Sequence, residues 1–104
     1  MSDSNAAAAG GFAAPPFGPD TALEQIRRAL RDFKLSERGS VFLLRGKPVV
    51  ELQIERGAPA LSARVARKLA LTPEWDKLRI SSTAEQRKFI EEIKKRLARW
   101  EQDE

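Results

Sequence analysis

Histidine, cysteine and tyrosine are all missing from this chain of 104 residues. Without the first two it lacks the commonest soft and borderline metal ligands, the side chain that titrates near neutral pH as a general base, and any thiol nucleophile. Ser81, Ser82 and Thr83 have no histidine to activate them, and no glycine-rich loop fits a phosphate cradle. The paired carboxylates Glu91 and Glu92 lie among lysines, where nothing raises a carboxyl pKa for acid catalysis. A non-enzymatic protein with no cofactor and no metal is expected. Absence of cysteine also removes disulfides, so packing alone must hold the fold. Apolar runs stop far short of membrane-spanning length, and the first residues lack the charged start and apolar middle of a signal peptide. The expectation is a cytoplasmic protein with no membrane partner.

What the chain does have is unevenly placed. Residues 1–20 carry only Asp3 and Asp20, whereas residues 21–104 hold all 19 Lys and Arg against 13 acids, a net of +6. Such a balance favours anionic partners, and equally serves to keep a small protein in solution. Ala, Gly, Pro and Ser dominate Met1–Pro19, which predicts a disordered tail over residues 1–19, with Phe12 and Phe17 its only large apolar groups, ahead of a single α+β domain over 20–104.

The domain opens with Thr21 and Glu24 as a capping box, and Leu23, Ile26, Leu30 and Phe33 follow at helical spacing, predicting a helix over 21–35. Val41–Leu44 and the alternating Val50, Leu52 and Ile54 predict two strands joined by a two-residue, glycine-first turn at Gly46. Pro48 cannot donate to a ladder and should face an open edge or lie outside the pairing. Leu61, Val65 and Leu69 predict a second helix over 60–71, and Thr72-Pro73-Glu74 a short helical turn carrying Trp75. Leu78–Ser81 reads as a strand or an extended link. Ser82 and Glu85 cap a long last helix on which Phe89, Ile90, Ile93, Leu97 and Trp100 form one apolar arc. The expected order is helix, β-hairpin, helix, short turn or strand, long C-terminal helix.

Two basic stripes stand out as a nucleic-acid-binding surface: Arg27, Arg31 and Lys34 on the first helix, and Arg64, Arg67 and Lys68 on the second. Cations one helical turn apart can track phosphates along a backbone, although a solvated helix face needs no more than the same stripes. The last helix answers its own charges through i,i+4 pairs such as Arg87–Glu91 and Glu92–Arg96. Residues 62–80 also contain the elements of a helix-turn-helix, which would aim Thr72, Glu74, Lys77 and Arg79 at a groove. Of the two tryptophans, Trp100 continues the core arc, while Trp75 has no periodicity to place it.

The run Ser40-Val41-Phe42-Leu43-Leu44-Arg45-Gly46-Lys47-Pro48-Val49-Val50-Glu51-Leu52 resembles the hairpin of Phd/YefM-type antitoxins. That resemblance implies a dimer that binds operator DNA through a basic N-terminal domain and neutralises a toxin with its C-terminal segment. This chain differs in having an Ala/Gly/Pro-rich stretch where the family opens with a strand, and a last helix with a continuous apolar face.

The sequence therefore predicts a small basic regulator or accessory protein that binds nucleic acid through basic helix faces. The alternative is a protein-protein interaction module that engages an acidic protein partner through the hairpin edge or the N-terminal tail; the same hairpin edge offers a surface for a homodimer.

Overall fold

The computed structural model describes residues 17–102. Most of the predicted tail, Phe12 included, lies outside them, but Phe17 packs half-buried against the core, and α1 (Pro19–Asp32) begins earlier than the capping-box pattern suggested. Gly18 is the N-cap and makes no side-chain cap bond; Pro19 occupies the first turn, where its missing N–H costs nothing. Ala22, Ile26 and Leu30 are the buried stripe of α1. The helix ends three residues short of the predicted boundary because Lys34 adopts φ 71°. Lys34 N–H donates to the Arg31 carbonyl and Leu35 N–H to the Leu30 carbonyl, with Leu30 and Leu35 both buried, which is a Schellman stop built without glycine.

Five strands follow in an antiparallel meander: β1 (Ser36–Arg38), β2 (Val41–Leu44), β3 (Lys47–Ile54), β4 (Leu61–Ala66) and β5 (Trp75–Ile80), with spatial order equal to chain order. Gly39, at φ 61°, opens the tight turn from β1 to β2. The next turn is not glycine-first: Arg45 and Gly46 are its two central residues, both at positive φ (54° and 79°), the type I′ pattern whose twist suits a hairpin. Pro48 lies inside β3, but where the register slips: Phe42 faces Val50 while Leu43 faces Pro48, so Val49 is an extra, bulged residue. β4 pairs with β3 only from Val50 to Ile54, which leaves Pro48 clear of the ladder on that side. Both Val49 and Val50 are thereby buried.

The predicted second helix is strand β4, and the predicted short helical turn is the start of strand β5. No helix lies between residues 62 and 80, so there is no helix-turn-helix. The segment 61–65 satisfies both periods: Leu61 and Val65 are spaced as on a helix, yet Leu61, Ala63 and Val65 also alternate with Ser62 and Arg64. Pairing on both sides, with β3 and β5, decides the matter in favour of the strand. The hairpin edge named in the sequence reading is interior to the sheet, because β1 covers β2 and β4 covers β3; the sheet's free edges are β1 and β5.

The last helix, α2 (Thr83–Trp100), matches its prediction. Ser82 Oγ accepts from Glu85 N–H at 3.1 Å, and Glu85 reaches back to accept from Ser81 N–H at 2.7 Å. Phe89, Ile93 and Trp100 are buried, and Trp100 Nε1 donates to the Ala66 carbonyl at 3.2 Å, tying the end of the helix to the end of β4. α1 and α2 touch each other and cover one face of the sheet, closing a single core around Phe42, Val50, Leu52, Leu61 and Val65. Among the described residues no helix is long and apolar enough to cross a membrane.

Candidate functional site on the open sheet face

Side chains alternate across a sheet, so the register divides the strand residues into a helix-covered face and an open one. Phe42, Val50, Leu52, Leu61, Ala63, Val65 and Ile80 face the helices and are buried. Directly paired residues share a face, which puts Glu51, Arg64 and Lys77 in one row of the open side and Gln53, Ser62 and Arg79 in the next. Arg38 joins them through Val41, its partner, which pairs in turn with Glu51. Trp75, opposite Ala66, lies one diagonal step from Arg64, whose guanidinium sits 5.0 Å from the indole centroid. The open face thus carries Arg38, Arg64, Lys77 and Arg79 against the carboxylates Glu51 and Glu55, beside one half-buried indole.

Ion pairs order this surface. Arg64 binds Glu51, Arg79 Nε donates to Glu55 Oε2 at 2.9 Å, and Ser62 Oγ donates to the same oxygen at 3.2 Å. The Arg79 hydrogen bond holds the Glu55 carboxyl below its ordinary range and raises Arg79 in return. A shallow concavity of about 350 Å³ lies between these side chains, lined by Glu51, Gln53, Ser62, Arg64 and Lys77, with Ala63 and Leu78 also at its wall. Its groups are hydrogen-bond donors, acceptors and fixed charges. Among the described residues no cluster of acids could hold a metal ion.

The six cations read from the sequence do not meet on one surface. Arg27 and Arg31 lie on α1 as expected, but both reach Glu37 of β1, at 2.6 and 2.9 Å, so they fasten helix to sheet. Lys34 has left the helix and stands in its terminating turn. Arg64 is on the open face. Arg67 and Lys68 follow the end of β4 and are not on a helix; Arg67 Nε donates to Asp76 Oδ1 at 2.8 Å, and Arg96 of α2 holds the other oxygen of that carboxylate, also at 2.8 Å. The Arg67 hydrogen bond first, and the Arg96 bond second, lower the Asp76 pKa. Lys68 is exposed in a corner with Arg67, Arg99 and Gln102.

Arg38, Lys77, Arg79, Gln53 and Ser62 join Arg64 and Trp75 only through the register of the sheet, which a helix over 60–71 would not produce. The signal was the two-residue alternation of 61–65 and its continuation in Lys77 and Arg79. Compared with protein-family models, curated proteins and solved structures, the chain has no match.

Proposed function

We propose that this protein is a small, non-enzymatic regulatory or accessory protein of the cytoplasm that binds single-stranded nucleic acid across the open face of its sheet. The observation that carries the reading is Trp75 with Arg64 stacked over it and Lys77 next in line on β5, on the face that neither helix covers, with Arg79 further along the same strand and Arg38 at the far edge of the sheet. Unpaired bases bind by stacking on aromatic rings and guanidinium planes, while cations take the backbone. Lys77 and Arg79 alternate along one strand, about 6.7 Å apart, a pitch suited to successive phosphates of an extended strand. Duplex reading asks for a helix or a two-stranded ribbon that can enter a groove, and two of the three arginines of α1, Arg27 and Arg31, are bound to Glu37.

The test is fluorescence anisotropy of labelled single-stranded DNA, single-stranded RNA and duplex DNA at about 50 and about 200 mM salt, where phosphate-driven binding weakens by orders of magnitude. Single strands should bind more tightly than duplex. The exposed charge reversals Lys77→Glu and Arg38→Glu, combined, should weaken binding at least about tenfold with the fold unchanged by circular dichroism. No binding at the lower salt, or affinity indifferent to the double variant, removes the open face as a nucleic-acid site.

A further inference from the structure

β5 is an edge strand whose outer row of N–H and C=O groups pairs with no other strand among the described residues. The sheet shows what kind of strand its cationic members pair with. β4 offers Ser62 and Arg64 to the open side and Leu61, Ala63 and Val65 to the helix side; β3, its neighbour, answers with Glu51, Gln53 and then Glu55 on the open side, and with Val50, Leu52 and Ile54 on the other. β5 repeats the β4 pattern, with Lys77 and Arg79 on the open side and Leu78 and Ile80 on the helix side. Its outer edge has no β3 equivalent. The row Glu51–Arg64–Lys77 therefore stops on a cation, and the row Leu52–Ala63–Leu78 stops on a leucine that is 37% exposed.

Beyond that edge the helix side is hollow. A groove of about 440 Å³ runs between β5 and α2, floored by Leu78, Ile80 and Phe89 and walled by Arg79, Glu85, Lys88, Glu92 and Arg96. Lysine on an edge strand guards against indiscriminate pairing. An exposed leucine opening into an apolar groove does the reverse, and the two together select a partner strand by its alternation.

We propose that the β5 edge docks an extended segment of a partner protein as a sixth strand, one whose side chains alternate between acidic and large apolar. The acids meet Lys77, with Arg79 beside it already bound to Glu55, the apolar residues enter the groove over Leu78, Ile80 and Phe89, and main-chain bonds to β5 supply the rest. A second copy is the wrong occupant. Antiparallel self-pairing centred on Lys77, Leu78 or Arg79 sets Lys77 against Lys77, Lys77 against Arg79, or Arg79 against Arg79, and directly opposed like charges repel. Residues 1–16 of the chain itself hold one acid, Asp3, and so lack the alternation.

The probe is a capped peptide with the sequence of residues 49–55, Val-Val-Glu-Leu-Gln-Ile-Glu, titrated into the isotopically labelled full chain and followed by amide chemical shifts. Shifts should concentrate at residues 75–80 and at Phe89. The exposed substitution Leu78→Lys should weaken binding at least about tenfold, and a peptide with lysine in place of both glutamates should not bind wild type but should bind Lys77→Glu better. Equal binding to Leu78→Lys, or equal binding of a peptide whose apolar residues are all serine, would reduce the effect to unspecific charge and overturn the proposal. So would no binding, or concentration-dependent self-association through residues 75–80. The two readings fail separately: Leu78 also borders the open-face concavity, so the discriminating arm is the all-serine peptide, which tests the β5 edge without altering the protein used for anisotropy.

Discussion

Replacing Trp100 tests how the sheet and the last helix are held together. The indole is fully buried and donates Nε1–H to the Ala66 carbonyl at 3.2 Å, at the point where β4 ends and the chain leaves the sheet. Trp100→Ala removes the largest buried side chain of the core, and such truncations cost about 3–5 kcal/mol. Trp100→Phe separates the components. It loses about 1 kcal/mol for the hydrogen bond, at the low end because Arg96 Nη1 still donates to the same carbonyl at 3.3 Å and no acceptor is orphaned. A further ~1 kcal/mol follows from the cavity left by the missing pyrrole portion, for about 2 kcal/mol in all. Urea denaturation, followed by circular dichroism and by the remaining Trp75 fluorescence, reads both changes as shifts in midpoint at constant slope. Against a total of about 5–15 kcal/mol for a domain, the alanine variant should be severely compromised. A loss below ~1 kcal/mol for Trp100→Ala would refute the assignment of Trp100 as the anchor of α2. Trp100→Phe should also leave nucleic-acid anisotropy unchanged, because a buried ring touches no base.

Two turns make opposite predictions in the same melts: Gly46→Ala should destabilise by about 1 kcal/mol, since φ 79° is strained for any side chain although open space surrounds it, whereas Lys34→Gly should stabilise by about 0.5–1 kcal/mol by relieving φ 71° at the end of α1. Ser82→Ala removes the acceptor of Glu85 N–H and should cost about 1 kcal/mol, read as a lower midpoint and faster amide exchange in the first turn of α2. Asp76 carries a lowered pKa in the folded state, so its contribution is fully present above the unfolded carboxylate value of about 3.9 and is lost as pH falls through the lower folded value. The stability gap between wild type and Asp76→Asn should therefore be constant near neutrality and close under acid, with Glu55 and Glu85 titrating in both proteins and cancelling; a gap that widens in acid would contradict the sign.

The parts of the fold that were legible share one property: local pattern and tertiary demand agreed. α2 has a Ser82–Glu85 cap and an unbroken apolar arc, and its core needs the same residues that its periodicity marks. The β2–β3 hairpin was legible because Gly46 follows a β-prone run, although the turn takes Arg45 as well as Gly46 at positive φ. The bulge at Val49 was not, because it arises from two strands having to bury consecutive valines around a proline. β1 is three residues long and exists by pairing with β2, a contact with no signature of its own. The end of α1 was misplaced for a similar reason: Phe33 continues the helical spacing in sequence, but Lys34 reverses the chain and Leu35, also buried, returns its N–H to the Leu30 carbonyl.

The candidate site depended on the one element whose period was ambiguous. On a helix, residues three apart share a face, so Arg64 and Arg67 read as one stripe. On a strand they point to opposite sides, and the structure sends Arg64 to Glu51 and Trp75 on the open face while Arg67 goes to Asp76 and the end of α2. Lys77 and Arg79 show the converse. Two residues apart, they diverge by about 200° on a helix, yet on β5 they stand side by side in line with Arg64 and Ser62. Charge spacing has no functional meaning until the period of its element is known. For residues 61–66 that period is fixed by pairing with β3 on one side and β5 on the other, and for residues 75–80 by pairing with β4.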